Sequence, residues 1–297
     1  IIAYFVLKKP IPKGTELANF YPVDTVFYSE LFVTPQKAKE LQKFSGQSFT
    51  KEKIVESIKE IAKKPKDTLN YEEIYKDLEK TFEPKMSYGI WIDEENTEKV
   101  PTEPPFVVAA VLKNKDNLET LMNKILENNK DVQFTTEDYK GYQIQIANNE
   151  EKTSYTVVDK FFLLGDAKKS LKNAIDRYTA GGKTILHAPK AYETLTNLPK
   201  ERLLTVIINT QYASQLAAKT KETKALSDEI DQLDKVLQSM SYTGIAMNIK
   251  DNIVKAKSYT PYDLTSIKDE ELKSAISSLF NAGAPVEAVN IIPAKSI

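Results

Sequence analysis

The sequence predicts an α+β fold, in which a largely antiparallel sheet packs against helices. Apolar runs of strand length recur along the chain, and amphipathic stretches of helix length lie between them. These stretches do not follow the regular strand–helix alternation of a parallel sheet, and several predicted strands succeed one another directly. The 297 residues are 41% hydrophobic and 28% charged, so the chain is long and apolar enough to bury a substantial core.

The first predicted unit opens with a strand over residues 25–33, which Thr34-Pro35 ends. Thr34 is a plausible helix N-cap and Pro35 suits the first helical position, so a helix is predicted to begin there. The remaining elements of the unit follow from apolar spacing. They are helices over 51–64 and 71–82 and a strand over 86–92.

The spacing of the apolar residues changes in the middle of the chain. Residues 106–112 (FVVAAVL) form a continuous apolar run, which predicts a strand covered on both faces. Asp116 and Glu119 have the spacing of a capping box at the head of a predicted helix over 117–128. Alternating residues then predict an antiparallel meander. Its strands are placed over 142–146, 155–158 and 161–164.

A helix is predicted after the meander, with Asp166 as its N-cap and Gly181-Gly182 as its end. The rest of the chain repeats the earlier order of elements. These elements are a short helix over 189–195, a strand over 203–208, a helix after Thr210, a helix over 228–240, a hairpin of strands over 240–249 and 253–259, and a helix over 269–281. Strand-helix-helix-strand thus occurs around 25–92 and around 203–249, which predicts an internal duplication.

Residues 1–18 are predicted to hold the end of a membrane anchor and a linker. The apolar run IIAYFVL at 1–7 is much shorter than the roughly 20 residues that a membrane-spanning helix needs. The alternatives are a first strand of the domain or the trimmed end of a signal segment. At the other end, NIIPAKSI (290–297) matches the pattern of NFYPVDTV (19–26). This similarity places the duplicated domain at 19–284 and predicts the start of a further repeat at 285–297.

The overall composition argues against several classes of protein. The net charge is −1 and the pI about 6.1, so nothing demands the basic face of a nucleic-acid binder. The chain has no cysteine, which excludes disulfides, thiolate metal sites and a cysteine nucleophile. Basic residues are almost all lysine, with only Arg177 and Arg202 as arginines, and we interpret this bias as compositional.

Two short motifs are rejected as catalytic or binding sites. Gly182-Lys183-Thr184 resembles the end of a phosphate-binding loop, but Arg177 stands where that loop needs a glycine, so a helix-ending turn is preferred. His187 is the only histidine, so a loop or packing role is preferred to a metal site or a catalytic base. No G-x-S-x-G elbow of a serine hydrolase is present.

Acidic and aromatic residues give two further candidate sites. A continuous helix cannot wrap a calcium ion, so the acids at 228–234 are interpreted as a solvated face. Asp93 and Glu94 follow a strand and could form an acid/base pair, although solvated loop residues are the preferred interpretation. Aromatic side chains could line a binding surface, with core packing preferred; they are Tyr21, Tyr28, Tyr88, Trp91 and Tyr242. No catalytic, cofactor-binding or metal-binding residue is predicted, and no cofactor.

The chain resembles an uncharacterised-domain family common in cyanobacterial genomes. The resemblance rests on Tyr21-Pro22-Val23-Asp24-Thr25, on FFLLGDAKKSLKNAIDR at 161–177 and on LTNLPKERLLTVII at 195–208. It implies one N-terminal membrane span and a repeated domain on the periplasmic or thylakoid-lumen side, but no assigned activity. Lys8 and Lys9 fit that orientation least well, because lysines that follow a span favour the cytoplasmic side.

The leading hypothesis is a membrane-anchored, non-enzymatic interaction or assembly protein, accessory to a membrane complex such as a photosynthetic one. It predicts a protein partner, membrane attachment and no nucleic acid. The first alternative is a small-molecule or lipid-binding module with a cavity between the two repeats. The second is an enzyme of unrecognised type that uses acids such as Asp93 or Glu94.

Overall fold

The computed structural model describes residues 16–45, 71–92, 104–127, 132–148, 153–210, 241–251, 253–261, 270, 273–274 and 286–293. Within these ranges eleven strands form one sheet, in the order β11-β10-β9-β8-β1-β2-β3-β7-β6-β5-β4. Every neighbouring pair in this order is antiparallel. The predicted α+β class with a largely antiparallel sheet is therefore confirmed.

The strands are β1 (Thr25–Phe32), β2 (Phe82–Trp91), β3 (Phe106–Leu112), β4 (Phe134–Tyr139), β5 (Tyr142–Ala147), β6 (Ser154–Val158), β7 (Phe161–Gly165), β8 (Leu204–Asn209), β9 (Tyr242–Lys250), β10 (Ile253–Thr260) and β11 (Val286–Pro293). The helices are α1 (Pro35–Ser45), α2 (Tyr71–Thr81), α3 (Lys115–Glu127), α4 (Lys168–Ala180) and α5 (Pro189–Asn197). Two short 3₁₀ helices cover Glu16–Phe20 and Ile185–His187.

One face of the sheet carries the main hydrophobic core, and we call it the core face. Its strand residues alternate with half-buried ones, as in Tyr28 of β1, Val107 of β3 and Leu163 of β7, all with 0% exposure. Both 3₁₀ helices, α4 and α5 contribute fully or nearly fully buried residues to the same core. The opposite face carries Leu31, Met86 and Val108. It borders an apolar cavity, and we call it the cavity face. Its helix α2 packs against β2 and α3.

Several predicted helix ends are confirmed. The hydroxyl of Thr34 accepts a hydrogen bond from the backbone N–H of Lys37 at 3.2 Å, as an N-cap should. Gly181 ends α4 in the left-handed conformation with φ of 68°, which a glycine adopts without steric cost. The backbone N–H of Gly182 donates to the Arg177 carbonyl at 3.1 Å, so Gly182-Lys183-Thr184 follows the helix as a helix-ending turn, as predicted.

The predicted N-caps of helices α3 and α4 are wrong. Ala167, not Asp166, precedes α4, and it makes no side-chain cap. The Asp166 carboxylate instead accepts the backbone N–H of Phe106 at 3.0 Å, which ties β7 to the start of β3. Before α3, the side chain of Asn114 accepts the N–H of Asp116 at 2.8 Å, so Asn114 has the capping role that was assigned to Asp116.

The meander contains one strand more than predicted. Strand β4 precedes β5, and the turn between them places Lys140 and Gly141 at φ of 55° and 82°. Two successive positive φ values are the geometry of a tight type I′ hairpin. Strand β2 also begins at Phe82 rather than at residue 86.

Other predictions concern residues outside the described ranges. Residues 1–15 of the anchor and linker predicted at 1–18 lie there, as do the helices at 51–64 and 228–240, most of the helix at 269–281 and the acids Asp93 and Glu94. Residues 16–18 of the predicted linker instead belong to the 3₁₀ helix Glu16–Phe20, in which Leu17 and Ala18 are buried. The two similar octapeptides can be compared only in part. Residues 290–293 lie in strand β11, whereas Asn19 and Phe20 close a 3₁₀ helix, so the likeness in sequence does not extend to backbone conformation.

Candidate functional site: an apolar cavity

A cavity of about 370 Å³ lies on the cavity face of the sheet, between strands β1, β2, β3 and β7 and helix α2. Its volume falls within the roughly 300–1,000 Å³ of small-molecule sites. All but two of its lining residues are apolar. They are Leu31, Val33, Leu78, Phe82, Glu83, Pro84, Lys85, Met86, Val108, Ala110 and Phe162.

An irregularity in strand β2 helps to form the cavity. Phe82 pairs with Leu112 and Met86 with Ala110, so β2 has two more residues than β3 between these pairs. The extra length contains Pro84, which has no N–H to donate, while its carbonyl accepts the N–H of Val33 at 2.9 Å. Such bulges bend a strand and recur beside functional sites. Here the bulge supplies one wall of the cavity.

Helix α2 covers the side of the cavity opposite the sheet through Leu78. The helix is anchored to α3, because the ammonium of Lys124 lies 2.7 Å from Asp77 and 2.6 Å from Glu73. The hydrogen bond from Lys124 lowers the pKa of the Asp77 carboxyl below its ordinary value. Helix α3 therefore holds in place the helix α2 that covers the cavity.

Two large apolar side chains of the lining are exposed. Leu31 and Met86 are exposed by 36% and 42%. Leu31 and Met86 lie opposite each other in the β1–β2 register, and both line the cavity. An apolar rim of this kind marks a binding surface more often than single exposed residues do.

The one basic residue of the lining is neutralised by acids outside the lining. The Lys85 ammonium lies 2.5 Å from the carboxylate of Glu16 and 3.7 Å from that of Glu30. Glu30 is buried, and its carboxylate accepts a hydrogen bond from the Tyr28 hydroxyl at 2.6 Å. Burial raises the pKa of Glu30, while Lys85 acts in the opposite direction. The apolar lining is thus left with no free ammonium group from Lys85.

The residues considered from sequence do not lie at this cavity. Tyr21, Tyr28, Trp91 and Tyr242 are buried in the main core, as the packing interpretation predicts. Tyr88 lies on the cavity face but packs against Phe27 and Phe106, with ring centroids 6.2 and 5.9 Å away.

His187 has a local structural role. Its Nδ1 accepts the backbone N–H of Thr184 at 3.1 Å, and the Thr184 hydroxyl lies 3.0 Å from the same nitrogen. Among the described residues, no group of three or more His, Cys, Asp or Glu side chains could hold a metal ion.

Sequence reasoning missed the cavity, although β3 carried a signal. The run FVVAAVL is apolar on both faces, and only one of these faces is buried in the main core. Val108 and Ala110 on the other face line the cavity and are half-buried. A strand that is apolar on both faces needs an apolar neighbour on each of them. This was the signal in the sequence that could have indicated an apolar site on the second face.

A family model described as "Protein of unknown function (DUF3352)" matches residues 1–297, which confirms the resemblance to an uncharacterised-domain family. A cyanobacterial source stays a prediction. No curated protein matches the chain significantly. No helix among the described residues has the length and apolar character needed to cross a membrane.

Solved structures of TP0453 are similar to this chain over almost their full length. Crystal form III has 8% sequence identity and a TM-score of 0.47, covering 97% of this chain and 96% of that one. Crystal form IV has 9% identity and a TM-score of 0.46, covering 94% and 93%. At these values the likeness indicates neither a shared function nor shared site residues.

Proposed function

The chain belongs to the DUF3352 family of unknown function, and we propose that it is a non-enzymatic binding protein whose cavity takes an apolar ligand. The observation that carries the proposal is the lining of the cavity, where apolar side chains from four strands and one helix converge. Burial of a ligand's apolar surface there contributes about 25 cal/mol per Å² to binding. Among the described residues, the lining contains no serine, cysteine or histidine and no cluster of metal ligands.

The cavity lies elsewhere than the sequence-based alternative placed it. That alternative put a ligand between the two predicted repeats, which would meet where β1 pairs with β8. The cavity instead lies over β1, β2, β3 and β7, which are all in the half of the sheet that runs from β1 to β4. We therefore propose that this half alone binds the ligand.

The test uses the full-length protein isolated gently from its own source. Mass spectrometry under native conditions should detect a bound apolar compound, and organic extraction should release it. The variant Ala110→Trp places a large side chain in the cavity lining and should therefore lose the compound. Ala256→Trp is the matched control, because Ala256 is also a half-buried alanine in a strand but lies outside the lining. A wild-type protein without any bound compound that also fails to take up added apolar dyes would contradict the proposal.

We further propose that the protein acts at a membrane, on the periplasmic or lumenal side, as part of an assembly. The exposed apolar side chains of Leu31 and Met86, which lie side by side, favour such contacts over an isolated existence in solution. A pull-down from solubilised membranes, with cross-links located by mass spectrometry, tests this role. Cross-links from a partner to the β1–β2 rim support it, whereas a partner-free protein argues against it.

The internal duplication is also proposed. Gly89 of β2 lies opposite Tyr28 of β1, and Gly244 of β9 lies opposite Ile207 of β8. Tyr28 and Ile207 in turn face each other. This register supports a two-fold relation between the halves, with its axis at the β1–β8 pair. A family-wide sequence comparison in which 25–92 never aligns with 203–249 would contradict it.

A further inference from the structure

The floor of the cavity is one row of side chains that crosses the strands. Leu31 lies opposite Met86, Met86 opposite Ala110, and Ala110 opposite Phe162. Residues directly opposite one another in a sheet project from the same face. The four positions therefore form a straight apolar row across β1, β2, β3 and β7, and three strand spacings make it about 14 Å long.

The two ends of this row differ. At the β1–β2 end, Leu31 and Met86 are exposed by 36% and 42%. At the β7 end, Phe162 is half-buried, with the ring of Phe82 edge-on at 5.5 Å and that of Tyr155 at 5.8 Å. The row thus has an open end toward solvent and an end closed by three aromatic rings. In the middle of the row stands Ala110, which has the smallest side chain of the four.

We infer that the cavity binds the unbranched hydrocarbon tail of an amphiphile, lying along this row with its head at the Leu31–Met86 end. This inference rests on the proposed function and names the ligand class. A long, narrow apolar floor fits a linear chain better than a compact apolar molecule. The open end gives a polar head access to water, which burial without a hydrogen-bonding partner would deny it.

The head group itself has few contacts to make in the lining. The ammonium of Lys85 is held by Glu16 and Glu30, and the remaining polar side chain is that of Glu83. We therefore expect the protein to select the chain and to tolerate different heads. This separates the tail-binding inference from recognition of one particular lipid head.

The first experiment measures binding by calorimetry with single-chain amphiphiles below their micelle concentrations. Alkyl maltosides of increasing length should bind about fourfold more tightly per methylene until the row is filled, and then no more tightly. Dodecanoate and dodecyltrimethylammonium should bind within a few-fold of dodecyl maltoside. Indole serves as the compact apolar probe and should bind much more weakly.

The variant Ala110→Phe tests the position of the tail. A ring at the middle of the row should move the plateau to shorter chains, whereas Ala256→Phe, outside the lining, should leave the chain-length profile unchanged. Far-ultraviolet circular dichroism confirms that both variants are folded. A variant profile identical to the wild-type profile would overturn the placement along the row.

The remaining outcomes separate the tail-binding inference from the proposed function. If indole binds as well as the alkyl maltosides and affinity does not depend on chain length, the tail assignment fails and an apolar site remains. If no probe binds, both fail. Incubation with phosphatidylcholine vesicles or with dodecanoate identifies the source of the tail, and a protein that recovers lipid from neither overturns the inference.

Discussion

At the scale of single residues, two glycines in the sheet make room for side chains that pack directly against the sheet. A Cβ at Gly89 would overlap the ring of Tyr21, and one at Gly244 would overlap the methyl group of Thr194. The Tyr21 ring is fixed, because it is fully buried and its hydroxyl is hydrogen-bonded to Ser87 at 2.7 Å. Neither glycine is therefore free to vary.

Gly89→Ala is expected to lower the free energy of unfolding by about 1–3 kcal/mol, the usual effect of overpacking a core. Urea unfolding followed by the fluorescence of Trp91, the only tryptophan, measures the change. In a Tyr21→Leu background the same substitution should be less destabilising, because the opposing ring is gone. An equal loss in both backgrounds would show that Tyr21 is not the cause.

The buried carboxyl of Glu30 predicts a pH dependence. Its pKa is raised in the folded state, mainly by burial, so ionisation is less favourable in the folded than in the unfolded chain. The wild type should therefore lose stability relative to Glu30→Gln as the pH rises from the ordinary range of glutamate through the raised value. Urea titrations of both proteins from pH 4 to 7.5 measure the difference, and a parallel pH profile would contradict the prediction.

The two arginines occupy buried or half-buried positions. Arg177 lies with its guanidinium 5.3 Å from the centroid of Trp91 and donates from Nε to the Phe20 carbonyl at 3.0 Å. Burial lowers its pKa to about 10, and burial also lowers the pKa of Arg202. A planar, weakly hydrated cation tolerates such sites better than an ammonium. Both arginines therefore occupy positions that suit a guanidinium better than an ammonium.

At the scale of elements, the start of α1 depends on Thr34. Thr34→Ala should lower the free energy of unfolding by about 1 kcal/mol, because the N–H of Lys37 loses its acceptor. Thr34→Ser keeps the hydroxyl and should be nearly neutral. Thermal unfolding of the three proteins compares them, and equal losses for Ala and Ser would point to the lost methyl group instead.

The β4–β5 hairpin illustrates an element that local patterns concealed. Strand β4 reads FTTEDY, whose polar residues suit the end of a sheet, and its turn uses Lys140 where asparagine or aspartate is usual. Glu137 of this strand pairs with Lys168 and Lys172 of α4, which lowers its pKa. The strand is thus held partly by a helix that lies some thirty residues later in the chain.

At the scale of the whole molecule, β1 and β8 join the two halves of one continuous sheet. Amides around the Tyr28–Ile207 pair should exchange hydrogen most slowly, because they open only with the sheet. Within the described strands, β4 pairs on one side alone and should exchange much faster. Hydrogen exchange followed by mass spectrometry measures both, and equal protection would contradict a central β1–β8 junction.

The sequence by itself determined the class of the fold and many of its local elements. Alternation and apolar runs located strands such as FVVAAVL, and Thr34, Pro35 and Gly181 located helix ends, because these signals act over a few residues. The caps at Asp116 and Asp166 were wrong, since Asn114 competed for the first and the distant Phe106 engaged the second. Such competition depends on partners that a local pattern does not contain.

Only the tertiary structure decided the order of the strands, the position of β8 beside β1 and the cavity itself. The cavity floor joins Leu31, Met86, Ala110 and Phe162, which are far apart in the chain and meet only through strand register. Its wall is a two-residue irregularity at Pro84, and its roof is a helix fixed by Lys124. Register and packing are non-local, which is the physical reason that the site was not visible in the sequence.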